Sequence, residues 1–482
     1  MRELAISLEW PRPLASFFGM DRIQMRAAGA AKRLKRTLGS EGVVTDETRL
    51  AELGGDKWFA HHRPDLAVFP QNSAEVSEVM KVAAESRLPV TTRGAGYGYV
   101  GGSVPAKGGI VLAMKQMNRI KEIDGADFVA VVEPGVITGD LQSAARKKGL
   151  FYPPDPASLK NCSIGGNIAT NAGGPRCLKY GVTRHYVLGL EVVLANGAIV
   201  KCGGRTHKNK TGFDLIGLFV GSEGLLGVVT EATLRLLPFP PARAALSAGF
   251  RDMRAAARAI RAVFAAGFLP AAVEVADRFT LEAAREFRPG ASFPPGHAHL
   301  LLEVDGQPTS VRAEVKALAR LLREQRATAV ETATNEVSCE KLWDLRRAFS
   351  ESLKATGLKK LNEDVVVPRG RLVDLIDFAQ GLQRRSGFPI ACFGHAGDGN
   401  IHVNIMVGDP EDTKIHARAD AALDELFSQI IGWGGAITGE HGIGLAKMPW
   451  WNLALSEENR ALHRVLKRAL DPKALLNPGK FV

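Results

Sequence analysis

Pro238, Pro240 and Pro241 fall within the five-residue run Leu237-Pro238-Phe239-Pro240-Pro241. Proline lacks the backbone donor that a helix interior or a central strand requires, so no regular element crosses this point. The chain is thereby cut into two folding parts. Its 482 residues exceed what one core serves, and two or three domains are expected. Hydrophobic residues at 45% and charged residues at 23% are those of a globular protein. No apolar run approaches the roughly 18–20 residues a bilayer span needs, so at most peripheral membrane contact is expected.

The formal net charge of +11 could serve nucleic acid, an anionic membrane surface or acidic ligands. No zinc-finger spacing or aromatic RNA-binding motif is present, and the basic residues are spread along the chain, so nucleic acid is excluded as a partner and anionic small ligands are expected. Cys162, Cys177, Cys202, Cys339 and Cys392 form no C-x-x-C pair, which argues against an iron–sulfur cluster or zinc ribbon. Scattered thiols fit a cytoplasmic protein. Residues 1–42 are basic, and the first 37 of them carry Arg2, Arg12, Arg22, Arg26, Lys32, Arg33, Lys35 and Arg36 against Glu3, Glu9 and Asp21. Acids and the lack of an apolar segment with a cleavage site speak against a targeting signal, and a peripheral basic extension is expected.

Before the proline break the chain alternates short β-like runs with helical ones. Asn72 or Ser73 caps a predicted helix over 73–86, where Val76, Val79, Met80 and Ala83 recur at helical spacing. Strands are predicted at 88–92, 109–113, 128–132, 190–194, 198–200 and 228–237, with Ala195-Asn196-Gly197 as a hairpin turn. After the break, helices are predicted at 253–266 and 311–323 and a strand at 298–304, an α+β pattern.

Gly96-x-Gly98-x-x-Gly101 matches a dinucleotide fingerprint and follows a predicted strand. A Rossmann loop must open directly into a helix, but Gly102-Ser103-Val104-Pro105 comes next, which cannot start one. Arg93-Gly94-Ala95-Gly96-Tyr97-Gly98 reads instead as a run of accessible amides able to nest phosphate oxygens. A second small, glycine-rich run spans Ser163–Gly174 after Pro153-Pro154-Asp155-Pro156, and is expected to be a loop. A third is Gly221-Ser222-Glu223-Gly224, leading into Gly227-Val228-Val229. Three such loops imply a long ligand gripped mainly by backbone.

The second half holds His395-Ala396-Gly397-Asp398-Gly399-Asn400-Ile401-His402-Val403-Asn404 and, later, Gly439-Glu440-His441-Gly442. A tight turn at Asp398 and its glycines would separate His395 from His402, and strand alternation puts His402 and Asn404 on one face. Two imidazoles and a carboxylate are a common donor set for a divalent metal, while hydrogen-bonded structural histidines are the plainer alternative.

The order of Arg93–Pro105, Pro153–Gly174 and Gly221–Pro238 resembles the FAD-binding domain of the vanillyl-alcohol oxidase/p-cresol methylhydroxylase superfamily. The second half is similar to its branch of D-lactate dehydrogenases, glycolate oxidase flavoprotein subunits and D-2-hydroxyglutarate dehydrogenases. The resemblance implies an α+β, two-domain chain: an FAD-binding domain of the p-cresol methylhydroxylase type at 43–240, an α+β substrate (cap) domain with an antiparallel sheet at 241–450, and a segment at 451–482 packing back on the FAD domain. It implies FAD contacts at Arg93, Gly94, Ala95, Gly96, Tyr97, Gly98, Pro154, Asp155, Ser158, Ser163, Gly165, Gly166, Asn167, Thr170, Asn171, Gly173, Gly174, Glu223, Gly227, Val228, Val229 and Asn477. Some members tether FAD through a histidine in the first loop; Tyr97 follows Gly96 here, which implies non-covalent FAD.

The same resemblance implies that His395, His402 and Glu440 bind a divalent metal, zinc or manganese, and that His441 is the base. Arg346, in Leu342-Trp343-Asp344-Leu345-Arg346, matches the family's carboxylate-binding arginine. Lys360, before Asn362-Glu363-Asp364, is a second candidate carboxylate contact. The implied activity is oxidation of a small D-2-hydroxy acid to the 2-oxo acid, with D-lactate the first candidate. Glycolate oxidase flavoprotein subunit and D-2-hydroxyglutarate dehydrogenase are alternatives, and a phenol or alcohol oxidase is a more distant one. No haem or cluster motif is visible, so an external acceptor (cytochrome, quinone or electron-transfer flavoprotein) is implied. A cytoplasmic protein, peripheral at most at the inner face of the membrane and able to form a homodimer, is the expected setting.

Overall fold

A computed structural model describes residues 17–291, 293–409 and 412–482, and the chain divides into two compact units. Residues up to Ala172, Val182–Phe239 and Glu440–Val482 form the first; Gly173–Gly181 and Pro240–Gly439 form the second. The chain thus passes between units within the proline run.

The first unit holds two main sheets. One runs Val43–Val44, Leu66–Val68, Ile110–Ala113, Val90–Arg93, its last three strands parallel. The other is antiparallel, ordered Ile120–Asp124, Val129–Val132, Val228–Arg235, Val187–Val193, Ile199–Gly203. Gly197, at φ +84°, turns the last hairpin. The helix Ser73–Ser86 is capped by Asn72, whose side chain accepts from the Glu75 amide. Its apolar stripe, Val76, Val79, Met80 and Ala83, is wholly buried.

Two expectations are corrected here. The basic N-terminal region is not a peripheral extension where it is described. Phe17–Leu38 is a helix, and Ala27, Ala30, Ala31 and Leu34 lie in the same core as Val76 and Val79. Those four recur at helical spacing, while Arg26, Lys32, Arg33, Lys35 and Arg36 face outward. Arg2 and Arg12 lie outside the described residues. The second glycine run is also not a loop throughout: Ile164–Thr170 is a helix. The Ser163 hydroxyl caps it through the Gly166 amide, and Asn171 ends it in the left-handed conformation at φ +52°. Gly165 serves packing, because a Cβ there would lie 2.7 Å from the Cβ of Pro134.

The second unit is built on a seven-stranded antiparallel sheet. Its order is Ala329–Ala333, Ala242–Phe250, Ala298–Gly306, Ala272–Ala276, Ile390–His395, Asn400–Val407, Lys359–Val366. One face is covered by the helices Arg278–Phe287 and Glu336–Ala355. Leu281, Ala284, Phe349 and Leu353 pack there on Ala276, Phe393 and Met406, and Leu342 and Trp343 on Ala245, Ala272 and Leu301. Register carries Glu274, Phe393, His395, His402 and Asn404 onto this same face, because Glu274 pairs with His395 and Phe393 with His402. Among the described residues, no helix is long and apolar enough to cross a membrane.

Candidate active site

In the first unit, Arg93 ends its strand and sends its guanidinium back to the Gly55 carbonyl and the Ser103 hydroxyl. It underlies the following loop: a Cβ on Gly96, at φ +71°, would lie 2.1 Å from an Arg93 nitrogen. Gly94 meets the second run, where a Cβ would sit 2.5 Å from the Ser163 hydroxyl. The third run joins them, since the amides of Gly221 and Glu223 donate to Ile168 and Ala169. Asn477 reaches in from the last stretch of chain, its amide donating to the carbonyls of Gly102 (3.0 Å) and Glu223 (2.9 Å).

This assembly fits FAD. Among the described residues, no hydrogen bond is donated by the amides of Gly94, Ala95, Gly96, Tyr97 or Gly98. Thr92 Oγ1 and Asn477 Oδ1 are buried with no hydrogen-bond partner among them. A row of open donors and two enclosed oxygens suits a ligand bearing phosphates and hydroxyls.

Several sequence candidates have their side chains committed elsewhere. Asn167 donates to Thr138 Oγ1 at 2.6 Å, the Asn171 side chain accepts from the Arg184 amide, and Thr170 Oγ1 donates to the Gly166 carbonyl. Gly227 packs against Val192, Val228 is fully buried core, and Val229 pairs with Val192 in the sheet. Glu223 clamps Ile443 and Gly444 through their amides at 2.7 and 2.8 Å, and burial raises its pKa against those bonds. Pro154 accepts from Gln142, Asp155 is buried, and Ser158 lies in the same turn region. Gly173 and Gly174 group with the second unit rather than the first. Tyr97 has the Lys57 ammonium over its ring at 4.6 Å.

The second unit concentrates polar groups on its helix-covered face. Glu274, fully buried, accepts from Arg346 Nε at 2.6 Å with one oxygen and lies 2.6 Å from His395 Nδ1 with the other. Burial alone would raise its pKa, but His395 and Arg346 together hold it below the usual carboxylate range. With Nδ1 directed at Glu274, Nε2 is the ring nitrogen of His395 turned away from that carboxylate. Among the described residues Arg346 bonds only to Glu274, so its terminal nitrogens remain open, and its guanidinium lies 5.0 Å from the centre of the Phe393 ring. Lys360 donates to Ser350 Oγ at 2.6 Å, and burial lowers its pKa to about 8.

The rings of His395 and His402 lie 5.7 Å apart at 76°. Asp364, directly opposite His402, accepts from the Gly439 amide at 2.9 Å. Glu440 is joined to Gly439 by one peptide bond, and His395, His402 and Glu440 each offer a ligand atom within 4.8 Å of the others. The donor set therefore fits a divalent ion. His441 has its Nε2 3.9 Å from Glu440 and its ring stacked on Tyr99 at 5.4 Å.

Sequence reasoning missed Glu274 and Asp364. Glu274 was visible as a lone acid in the apolar run Ala271–Ala276, where a strand buried on both faces rarely tolerates a charge without partners. Asp364 carried no comparable signal among its polar neighbours.

Comparison with known proteins identifies the family. Residues 64–203 match the FAD binding domain model, and residues 239–481 match FAD linked oxidases, C-terminal domain. The chain is 40% identical to glycolate oxidase subunit GlcD of Bacillus subtilis, over 87% of this chain and 89% of that protein. It is 33% identical to a D-lactate dehydrogenase of Anaerostipes hadrus (88% and 90% covered) and 37% identical to one of Archaeoglobus fulgidus (86% and 91%). Among solved structures, p-cresol methylhydroxylase with substrate bound shares the fold at a TM-score of 0.75 and 20% identity, covering 95% of this chain and 97% of that one. With its flavin-binding and C-terminal models both matched and its relatives aligned over most of their length, the chain belongs to the FAD-linked oxidases.

Proposed function

We propose that the protein oxidises a small D-2-hydroxy acid to the 2-oxo acid on non-covalent FAD, with D-lactate the first candidate and glycolate the second. The observation that carries this is Arg346: a nearly buried guanidinium, 11% exposed, held by its Nε with its two terminal nitrogens open. Such a fork suits a carboxylate, which hydroxy acids have and phenols lack. Relatives named D-lactate dehydrogenase and glycolate oxidase subunit support the same substrate class.

When bound, FAD would supply the hydride acceptor and a divalent ion a Lewis acid for the substrate hydroxyl. His395, His402 and Glu440 would hold that ion. Arg346 fixes the substrate carboxylate, and Lys360 is a second cation available to it. His441 accepts the hydroxyl proton, and its stacking on Tyr99 restrains the ring. The substrate would give up one hydride and one proton, and an external acceptor would take the two electrons. Tyr97, in the loop position where some members carry a flavin-linking histidine, supports a non-covalent cofactor.

The test is product formation from D-lactate, L-lactate, glycolate, D-2-hydroxyglutarate and a simple phenol with an artificial electron acceptor. Preference for D-lactate or glycolate is expected. Turnover of the phenol alone would reject the reading.

A further inference from the structure

We propose that Glu274 is a positioning residue for this oxidation: one buried carboxylate fixes His395 with one oxygen and Arg346 with the other. Both contacts are 2.6 Å and Glu274 is fully buried. The inference rests on the roles proposed above for His395 and Arg346.

Each contact sets the orientation of its partner. Holding His395 at Nδ1 sets the plane of the ring and directs Nε2 away from Glu274. Holding Arg346 at Nε leaves its two terminal nitrogens as the fork for a carboxylate. The fold enforces the pairing. Glu274 and His395 are directly opposed in the ladder, and Arg346 reaches them from the helix Glu336–Ala355 above the same face. Glu303, buried on the same face, shows the structural alternative. It bonds Arg176, Arg243 and Trp343, so it ties chain segments together, and none of these partners is a histidine. Glu274 alone of the two joins a candidate metal ligand to a candidate substrate group. Its loss should therefore reach metal affinity and substrate affinity together, although the side chain touches neither.

The test is Glu274→Gln in the full-length flavoprotein, with Glu274→Asp beside it. After dialysis against a buffered zinc or manganese series, metal per flavin is read by elemental analysis, and KM and kcat are read with D-lactate. In Glu274→Gln, metal affinity is expected to fall about 10–100-fold. The KM is expected to rise about tenfold or more, with flavin content unchanged. Glu274→Asp, which restores the charge, should recover part of both. Native metal content and a native KM in Glu274→Gln would overturn the proposal. Should neither variant yield folded flavoprotein, ¹⁵N-histidine spectra of the wild type decide: a His395 protonated at Nδ1 supports it, and one protonated at Nε2 overturns it. A wild type inert toward every hydroxy acid would instead sink the functional reading, so the two failures are separable.

Discussion

Lys360 illustrates how far one residue's surroundings can set a pH profile. Its ammonium rests on Ser350 Oγ, and burial, helped by the nearby Lys354, brings its pKa down to about 8. The folded pKa lies below the ordinary lysine value, so the unfolded chain binds more protons between about pH 8 and 10.5 and stability rises with pH across that window. Function runs the other way. Below about pH 8 the side chain is cationic and can attract the substrate carboxylate; above it the charge goes. KM for D-lactate should therefore rise above about pH 8 in the wild type. In Lys360→Met it should be raised throughout and flat across that range, as steady-state profiles would show. Arg346→Lys keeps the charge and loses the fork. It should raise KM by roughly tenfold or more while FAD stays bound, whereas an unchanged KM would remove Arg346 from substrate binding.

At the scale of elements, the helix Phe17–Leu38 is where charge misled and spacing would have told. Its lysines and arginines dominate the sequence, yet Ala27, Ala30, Ala31 and Leu34 form the stripe that joins the core. Leu34 is fully buried, so Leu34→Ala should cost about 2–5 kcal/mol and lower the temperature at which FAD is released. A release temperature like that of the wild type would mean the helix contributes nothing to the unit. Elements with strong local signals were legible: the Asn72-capped helix, the hairpin at Gly197 and the turn between His395 and Asn400 all follow from caps and turn residues. Ile164–Thr170 was not, because Gly165 and Gly166 argue for a loop locally, and only contact with Pro134 shows why glycine stands at 165. Glu274 was readable as a misplaced acid, but its two partners lie 72 and 121 residues away, and no local rule pairs them.

Over the whole molecule, the chain leaves the first unit and returns to it, so the FAD-binding unit is completed by its last stretch. Lys467 fastens that stretch. It is buried and donates to Leu225 and Leu476 carbonyls and to Asp471 at 2.7–2.8 Å. Lys467→Ala leaves Asp471 buried without its cation and should cost about 3 kcal/mol, seen as earlier FAD release on heating. Metal removal by a strong chelator should leave FAD bound and slow flavin reduction, and full activity in metal-free protein would reject the role proposed for His395, His402 and Glu440. In the proposed reaction a hydride leaves the hydroxy acid for the flavin while His441 takes the proton. Anaerobic rapid mixing of the flavoprotein with D-lactate measures that step directly. Flavin absorbance should bleach in a single turnover in the wild type and roughly 10²-fold more slowly in His441→Ala with FAD retained. Equal bleaching rates in the two proteins, or none in the wild type with any D-2-hydroxy acid, would contradict it.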